Sequence, residues 1–541
     1  MPTDLHNLEL VLIVLLVFVV GFGALANRLK TPYPILLVIG GLVLSLIPGI
    51  PRFHLEPDFI FLGVLPPLLF AAGFTTSWRD FRYNLVSISL LAFGLVGFTV
   101  VGVALIAHWM LPGFDWRLGL VLGAVVSTTD AIAATSIAKR VGLPRRIIDV
   151  LEGESLINDA TGLLALEFAV ALVVTGQTST FTENAGRLLY LVIGGVATGL
   201  ALGKIINWLE HRIDHAPIEI TISIVTPYAA YLMAEEIHSS GVLAAVACGL
   251  YLGRRSATFF SSVVRIEAQA FWNTLIFILN GIVFILIGLQ LPYILAGIRD
   301  YSLRELVLRG GLVSAAVILL RLIWVFPGAY LSYFIRRNVL KQHEEYPAAR
   351  GIFIVGWTGM RGVVALAAAI SLPEMISNGM PFPQRNLILF LTFCVIFVTL
   401  VLQGLTLSAL IPRLGVTAGT SDKYEEIEAR RIMIEAALQR LEETPAREQP
   451  SARAILEDLG KHYRIRHAAL ERVEGAGRVF SEQHDLFESV ARDLRSAERA
   501  SAIRLRDQDR ISDETLQKLL RELDLQDARV ATAYPEDDAA S

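Results

Sequence analysis

The stretch from Leu151 to Glu167, LEGESLINDATGLLALE, combines acidic residues with an apolar run long enough to cross a membrane. Its carboxylates are Glu152, Glu154, Asp159 and Glu167. A charged group at membrane depth is costly, so such residues usually face a protein-lined cavity and mark a path for ions or protons. Ser155 lies four residues before Asp159, so the two share one face of a helix. The same spacing relates Glu154 to Asn158. The stretch therefore predicts an ion or proton site inside a membrane helix.

The whole chain divides into an apolar part and a charged part. Its 541 residues are 54% hydrophobic and 18% charged, with a mean hydropathy of +0.55. Apolar runs fill the chain as far as residue 415, and charged residues dominate after residue 420. We therefore expect a membrane domain over residues 1–415 and a helical cytoplasmic tail over residues 416–541. The two cysteines lie in apolar runs and suggest neither a disulfide framework nor a metal site. No cofactor and no nucleic-acid partner are expected.

The apolar runs predict an all-α polytopic membrane protein. Segments of roughly 20 apolar residues predict about 13 transmembrane helices, and the Leu151–Glu167 stretch lies in span six. Lys and Arg concentrate in one set of loops, which include Arg79, Arg82, Arg254 and Arg255. These loops are cytoplasmic by the positive-inside rule. An odd number of spans then places the N-terminus outside and the tail inside a bacterial inner membrane.

Two spans carry residues that disfavour a continuous helix. Span five contains STTD at Ser127–Asp130, whose side chains compete for backbone hydrogen bonds. Gly356, Gly359 and Gly362 interrupt span twelve around Arg361. The two spans occupy equivalent positions if spans one to six and eight to thirteen are inverted repeats, and paired interruptions indicate a transporter site. The alternatives are an unbroken span five with a hydrogen-bonded acid, and close helix packing at the glycines.

Asp159 is the main candidate for the residue that carries the transported ions. Burial disfavours a charged carboxylate, so Asp159 can hold either a proton or a metal cation but hardly both. The hydroxyl oxygens of Ser155 and Thr129 suit alkali cations, and Asn158 adds a neutral amide. Asp130 has a functional or supporting role in the same site. We therefore expect a Na⁺ site at Asp159, Ser155 and Thr129.

The remaining polar residues of the spans include two acids and an amide outside the predicted Na⁺ site. A buried, ionised Glu154 requires a cation, and Arg321 and Arg361 are the two available for a structural ion pair. Glu167 either lines an outward path or forms hydrogen bonds as a neutral acid. Asn280 is expected to hydrogen-bond between helices.

Four motifs together resemble the monovalent cation:proton antiporters, on the branch of electroneutral sodium/proton exchangers and closest to their bacterial long-tailed form. The motifs are LPPLLF at Leu65–Phe70, STTDAIA at Ser127–Ala133, GESLINDA at Gly153–Ala160 and GMRGVVALA at Gly359–Ala367. The resemblance covers residues 8–415. It implies inverted repeats, a dimerisation domain that makes a homodimer, and a mobile core domain with two crossed, unwound helices.

The resemblance also implies roles for the candidate ion-site residues. Asp159 binds Na⁺ and the proton alternately. Thr129, Ser155 and Asn158 lie in or beside the ion site. The Asn-Asp pair is associated with one-for-one electroneutral exchange. Many relatives have an acid shortly after the Leu-Pro-Pro of span three, where this chain has Ala71, and this departure affects selectivity.

The same resemblance implies structural roles for the other charged residues of the membrane domain. Asp130 compensates the helix ends at the crossing. Glu154 pairs with Arg321, and Arg361 lies in the second unwound segment.

The sequence thus predicts a secondary antiporter, and not an enzyme, that exchanges Na⁺ for H⁺ and serves pH and sodium homeostasis. Li⁺ and K⁺ are alternative substrates, and a K⁺/H⁺ antiporter is the main competing assignment. A gated cation channel or a receptor-like protein with a signalling tail is the alternative from another class. The tail is either a solvated helical region or a regulatory domain whose partner is unknown.

Overall fold

Helices form almost all of the described backbone. The computed structural model describes residues 2–29, 31–47, 57–111, 113–176, 181–298, 301–342, 346–376, 379–416 and 421–443, with parts of 456–525. Within these ranges the β-structure is one isolated antiparallel bridge between Met375 and Pro381. The chain forms two compact units, Met1–Ala418 and Gly419–Ser541.

The first half of the larger unit contains ten helices within the described ranges. They are α1 (Pro2–Arg28), α2 (Tyr33–Ser45), α3 (Leu65–Thr75), α4 (Trp78–Tyr83), α5 (Leu85–Ser89), α6 (Val96–Met110), α7 (Trp116–Ser127), α8 (Ala131–Val141), α9 (Arg145–Thr175) and α10 (Phe181–Glu210). A π-helical turn at Phe59–Val64 leads into α3, and a second one at Leu90–Leu95 joins α5 to α6.

The described remainder of this unit contains nine more helices. They are α11 (Ala216–Glu236), α12 (Gly241–Phe259), α13 (Ser262–Leu289), α14 (Leu291–Ala296), α15 (Leu303–Phe334), α16 (Ala349–Trp357), α17 (Val363–Ile370), α18 (Arg385–Val398) and α19 (Gly404–Leu414). π-helical turns at Ile335–Val339 and Thr399–Gln403 extend α15 and join α18 to α19. In the smaller unit, α20 spans Ser421–Glu442.

Eight helical segments of the described chain are long and apolar enough to cross a membrane, and three shorter apolar helices accompany them. The protein is therefore a multi-pass membrane protein. The predicted number of spans is not reproduced by length and hydropathy alone. One reason is that α12 carries Arg254 and Arg255 near its end. Another is that α16 and α17 are each too short to span a bilayer by themselves.

Both interruptions predicted from the sequence are present. Helix α7 ends at Ser127 and α8 begins at Ala131, with an extended backbone at Thr128 (φ −64°, ψ 139°). Helix α16 ends at Trp357 and α17 begins at Val363. The alternative of an unbroken span five is therefore wrong.

Close packing fixes the first interruption in place. Helix α7 lies so near α6 that a Cβ on Gly123 would be 2.6 Å from the Val100 carbonyl oxygen. The two interruptions also touch each other, because the backbone N–H of Asp130 donates to the Met360 carbonyl at 2.8 Å. The two broken helices therefore meet inside the larger unit, and we call this meeting point the crossing.

Candidate ion-binding site

A cavity of about 230 Å³ lies beside the crossing of the broken helices. Asp159 and Ser155 of α9 line it, together with Thr128, Thr129 and Asp130 of the α7–α8 interruption. Asp159 is only 5% exposed and Thr129 only 6%. The structure thus brings Asp159, Ser155, Thr129 and Asp130 to one small, buried space.

Hydrogen bonds hold the α7–α8 interruption against α9. Asn158 Nδ2 donates to Thr129 Oγ1 at 2.5 Å, and Thr129 Oγ1 donates to Glu154 Oε1 at 3.2 Å. Ser155 Oγ donates to the Thr129 backbone carbonyl at 2.9 Å. These bonds use the hydroxyl protons of Ser155 and Thr129. Their oxygens therefore keep lone pairs that can serve a cation.

Glu154 is paired with Arg321 of α15, deep inside the protein. Arg321 Nη2 donates to Glu154 Oε2 at 2.8 Å, Arg321 Nη1 donates to Oε1, and both side chains are 1% exposed. Arg321 Nη2 also donates to the Val355 carbonyl of α16 at 3.1 Å. A bidentate buried pair of this kind joins three helices, and it neutralises the charge of Glu154.

Arg361, the other candidate partner of Glu154, is bound to backbone oxygens instead. It is fully buried in the α16–α17 interruption, where its Nε donates to the Val126 carbonyl of α7 at 3.0 Å. Its guanidinium also donates to the Gly359 carbonyl, and its backbone N–H donates to Thr399 Oγ1 at 3.1 Å. A cation at the C-terminal end of α7 compensates the negative end of that helix dipole.

Asp130 acts at the opposite helix end. Its Oδ1 accepts the backbone N–H of Ile132 at 2.8 Å, in the first turn of α8. A carboxylate there satisfies a free N–H and interacts favourably with the positive end of the helix. Asp130 therefore lines the cavity, but its charge is used largely by the helix end.

The Asp159 carboxylate is different from its neighbours. Among the described residues, none forms a hydrogen bond or an ion pair with it, although it is buried and faces the cavity. A buried carboxylate is unfavourable without a partner, so it either binds a cation or holds a proton. Asp159 is therefore the buried acid of this cavity that has no charge partner among the described residues.

Glu167 does not join this cavity. It lies eight residues after Asp159, which on a helix means about 12 Å further along and about 80° around the axis. Its carboxylate pairs with Arg187 of α10, and it lines a second cavity of about 620 Å³ between α9, α10 and α12. Glu167 is therefore not an additional carboxylate of the Asp159 cavity, and Ala71 of α3 offers none either.

The sequence reasoning missed several polar residues of the cavity, including Thr75, Thr135, Glu152 and Asn280. Asn280 of α13 lines the cavity and is completely buried. Neither amide atom of Asn280 forms a hydrogen bond of normal geometry in the part of the chain that the structure describes, although the Tyr33 hydroxyl of α2 lies close to the amide. An isolated amide in an apolar span was the available sign, but the sequence could not place it beside Asp159.

These features define a class of protein. Two interrupted helices that meet beside a buried carboxylate form the arrangement of secondary active transporters. The comparison with known families agrees, because the family described as "Sodium/hydrogen exchanger, transmembrane" matches residues 13–412. The chain belongs to the sodium/hydrogen exchanger family, whose members are secondary transporters and not enzymes.

Curated relatives extend along most of the chain. An uncharacterised Na⁺/H⁺ exchanger of Mycobacterium tuberculosis is 34% identical over 527 residues, which cover 96% of each chain. The sodium, potassium, lithium and rubidium/H⁺ antiporter of Bacillus subtilis is 32% identical over 451 residues, covering 81% of this chain and 66% of the relative. Among solved structures, the sodium proton antiporter MjNhaP1 of Methanocaldococcus jannaschii shares the fold, with a TM-score of 0.58 at 21% identity over 76% of this chain and 99% of that one.

Proposed function

We propose that this protein exchanges Na⁺ for H⁺ by alternating access, with Asp159 as the residue that binds each in turn. The observation that carries the proposal is the buried Asp159 carboxylate, which has no protein partner among the described residues and faces a cavity with Ser155 and Thr129 oxygens. Carboxylate and hydroxyl oxygens are hard ligands that suit an alkali cation. A proton on Asp159 removes its charge and releases the cation, which couples the two fluxes.

The surrounding charges support a one-for-one, electroneutral cycle. Glu154 is neutralised by Arg321, and Asp130 serves the start of α8. Asn158 contributes no charge. Glu152 also lines the cavity, but it is only partly buried and lies near the start of α9. Asp159 is then the buried carboxylate that exchanges, so it carries either one cation or one proton in each crossing, and a bare charged site crosses poorly because of desolvation.

The shape of the cavity supports access from the side of the basic loops. Its lining extends to Thr75, Thr135 and Glu152. Thr75 ends α3 shortly before Arg79, and Glu152 lies two turns into α9, which begins at Arg145. Because basic loops are cytoplasmic by the positive-inside rule, we infer an inward-facing cavity, an outside N-terminus and a cytoplasmic tail in the bacterial inner membrane.

The proposal also includes the number of spans, their internal symmetry and the oligomeric state. We infer about 13 spans. Helix α12 and the broken pair α16–α17 are two spans that a search by length and hydropathy does not identify. The α7–α8 and α16–α17 interruptions then occupy equivalent places in two inverted repeats of a core domain. A homodimer is expected, with the core domain moving against a fixed dimerisation domain.

Substrate choice rests on the relatives. The B. subtilis relative is named for sodium, potassium, lithium and rubidium, and the M. tuberculosis relative for Na⁺. We therefore place Na⁺ first, with Li⁺ and K⁺ as further candidates. These names do not favour the channel or receptor alternatives. Proton flux in proteoliposomes with each alkali cation in turn, at a clamped membrane potential, determines both the substrate and the stoichiometry.

The decisive variant is Asp159→Asn, which keeps the size of the side chain and removes its charge. We expect cation-dependent proton flux in proteoliposomes to fall to the level of empty vesicles. Glu167→Gln is the matched control, since Glu167 lies on the same helix but outside the cavity, and it should retain exchange. Near-normal exchange by Asp159→Asn would contradict the assignment of Asp159 as the ion-binding residue.

A further inference from the structure

Asn280 lines the cavity that contains Asp159. Its side chain is 0% exposed, and neither Nδ2 nor Oδ1 has a hydrogen-bond partner within the described ranges. The Tyr33 hydroxyl of α2 lies close to the amide but makes no hydrogen bond of normal geometry with it. Buried polar groups in proteins are nearly always satisfied, so an orphaned amide at a cavity wall indicates a missing occupant.

The two walls of the cavity differ in polarity. One wall consists of α9 and the interrupted helices, and it supplies the oxygens of Asp159, Ser155 and Thr129. The other wall consists of α3 with the π-helical turn before it, and of α13. Its polar lining residues are Thr75 and Asn280.

The hydroxyl of Thr75 is already used inside its own helix. Thr75 Oγ1 donates to the carbonyls of Ala71 and Ala72, at 3.1 Å and 3.2 Å. The rest of this wall is apolar along its described length, including the Ala71 and Ala72 side chains. Asn280 is thus the polar group that remains available on this wall to an ion in the cavity.

We propose that Asn280 Oδ1 is a ligand of the transported cation, supplied from the wall that α3 and α13 form. This inference rests on the proposed exchange at Asp159. An amide oxygen is a hard, neutral ligand, so it adds affinity for an alkali cation without a second charge. The cation is then held between two groups of helices, and Asn280 contributes to discrimination among Na⁺, Li⁺ and K⁺. A proton bound to Asp159 does not require this ligand.

The test is Asn280→Leu, which removes both polar atoms at similar volume. In proteoliposomes we expect the KM for Na⁺ to rise about tenfold, because the variant loses one interaction of hydrogen-bond strength. The kcat should stay within about twofold of the wild-type value. The ratio of the KM values for Na⁺, Li⁺ and K⁺ should also change. Asn280→Asp keeps an oxygen at the same place, so it should retain Na⁺ binding.

Gln403→Leu is the matched control. Gln403 is also 0% exposed with both amide atoms unpartnered in the described part of the protein, but it does not line the cavity. It should leave the KM values unchanged. Equal KM changes in Gln403→Leu and Asn280→Leu would overturn the ligand role, because both would then reflect general packing.

A second measurement does not depend on transport. Na⁺ should raise the thermal unfolding temperature of the purified wild-type protein, and Asn280→Leu should lose most of this shift. An unchanged shift and unchanged KM ratios, in a protein that exchanges normally, would refute the inference and leave the proposed function intact. Absence of exchange in the wild type would instead refute the proposed function itself, and the inference with it.

Discussion

Glu154 and Arg321 balance each other's buried charge beside the candidate ion site. Both side chains are 1% exposed, and each is the other's charge partner. Removing one member of a buried pair leaves the other charge uncompensated, which typically costs about 3–5 kcal/mol. The pair therefore supports the position of Asn158 and Thr129 next to Asp159.

We predict that Glu154→Gln lowers stability by about 3–5 kcal/mol, because Arg321 then stays buried without its counter-charge. Thermal unfolding of the purified protein measures the loss. The double variant Glu154→Met/Arg321→Met should recover much of it, since no buried charge remains. A single variant as stable as the wild type would contradict the structural role of the pair.

Asp159 and its neighbours were predictable because their relation is local. The spacing along α9 places Ser155 and Asp159 on one face, and a buried acid in an apolar span is rare enough to single out. The partner of Glu154 was not predictable from the residues alone, because Arg321 is 167 residues away and sequence distance says nothing about contact. The place of Asn280 in the cavity was not predictable for a related reason. Its residue type is compatible with either a hydrogen bond or a free amide, and only the packing distinguishes the two.

The α16–α17 interruption is sensitive to a small change in side-chain volume. Gly362 lies so close to the first interruption that a Cβ there would be 2.6 Å from Asp130 Cβ. A methyl group at Gly362 must therefore displace Asp130 or open the crossing. Either movement disturbs the N-terminal cap of α8 and the wall of the cavity.

We predict that Gly362→Ala destabilises the protein by about 1–3 kcal/mol, the usual cost of overpacking, and strongly reduces exchange. Gly351→Ala is the matched control on α16, where the added Cβ would lie 3.8 Å from Ile147 Cδ1, an ordinary contact. Thermal unfolding and proteoliposome flux are measured for both. If Gly362→Ala had the stability and the flux of the wild type, the two interruptions would not need to be in close contact.

At the level of elements, sequence patterns located the interruptions but not their contact. Polar residues at Ser127–Asp130 and glycines around Arg361 are local signs of a broken helix. The hydrogen bond from Asp130 to Met360 depends on how distant helices pack, which no local pattern encodes. The π-helical turns, such as Phe59–Val64, were also missed, because an apolar run reads the same in an α-helix and in a π-helix.

For the whole molecule, the proposed cycle requires α9, which carries the ion site, to move relative to its surroundings. A cavity of about 620 Å³ lies between α9 on one side and α10 and α12 on the other, so α9 is not tightly packed against these two helices along its whole length. Across this space, Arg187 of α10 pairs with Glu167 of α9, and the two side chains are 56% and 49% exposed. An exposed pair contributes only about 0–1 kcal/mol, so it can break during a cycle.

A covalent link at this pair should therefore stop transport. We predict that Glu167→Cys/Arg187→Cys, with Cys248 and Cys394 replaced by Ala, loses exchange when treated with a short, cleavable bis-methanethiosulfonate and regains it on reduction. Each single cysteine variant, treated in the same way, is the control for modification without a link, and should keep its flux because the ion pair adds little stability. Full exchange by the cross-linked protein would mean that α9 and α10 move together. The moving boundary would then have to lie elsewhere in the unit Met1–Ala418.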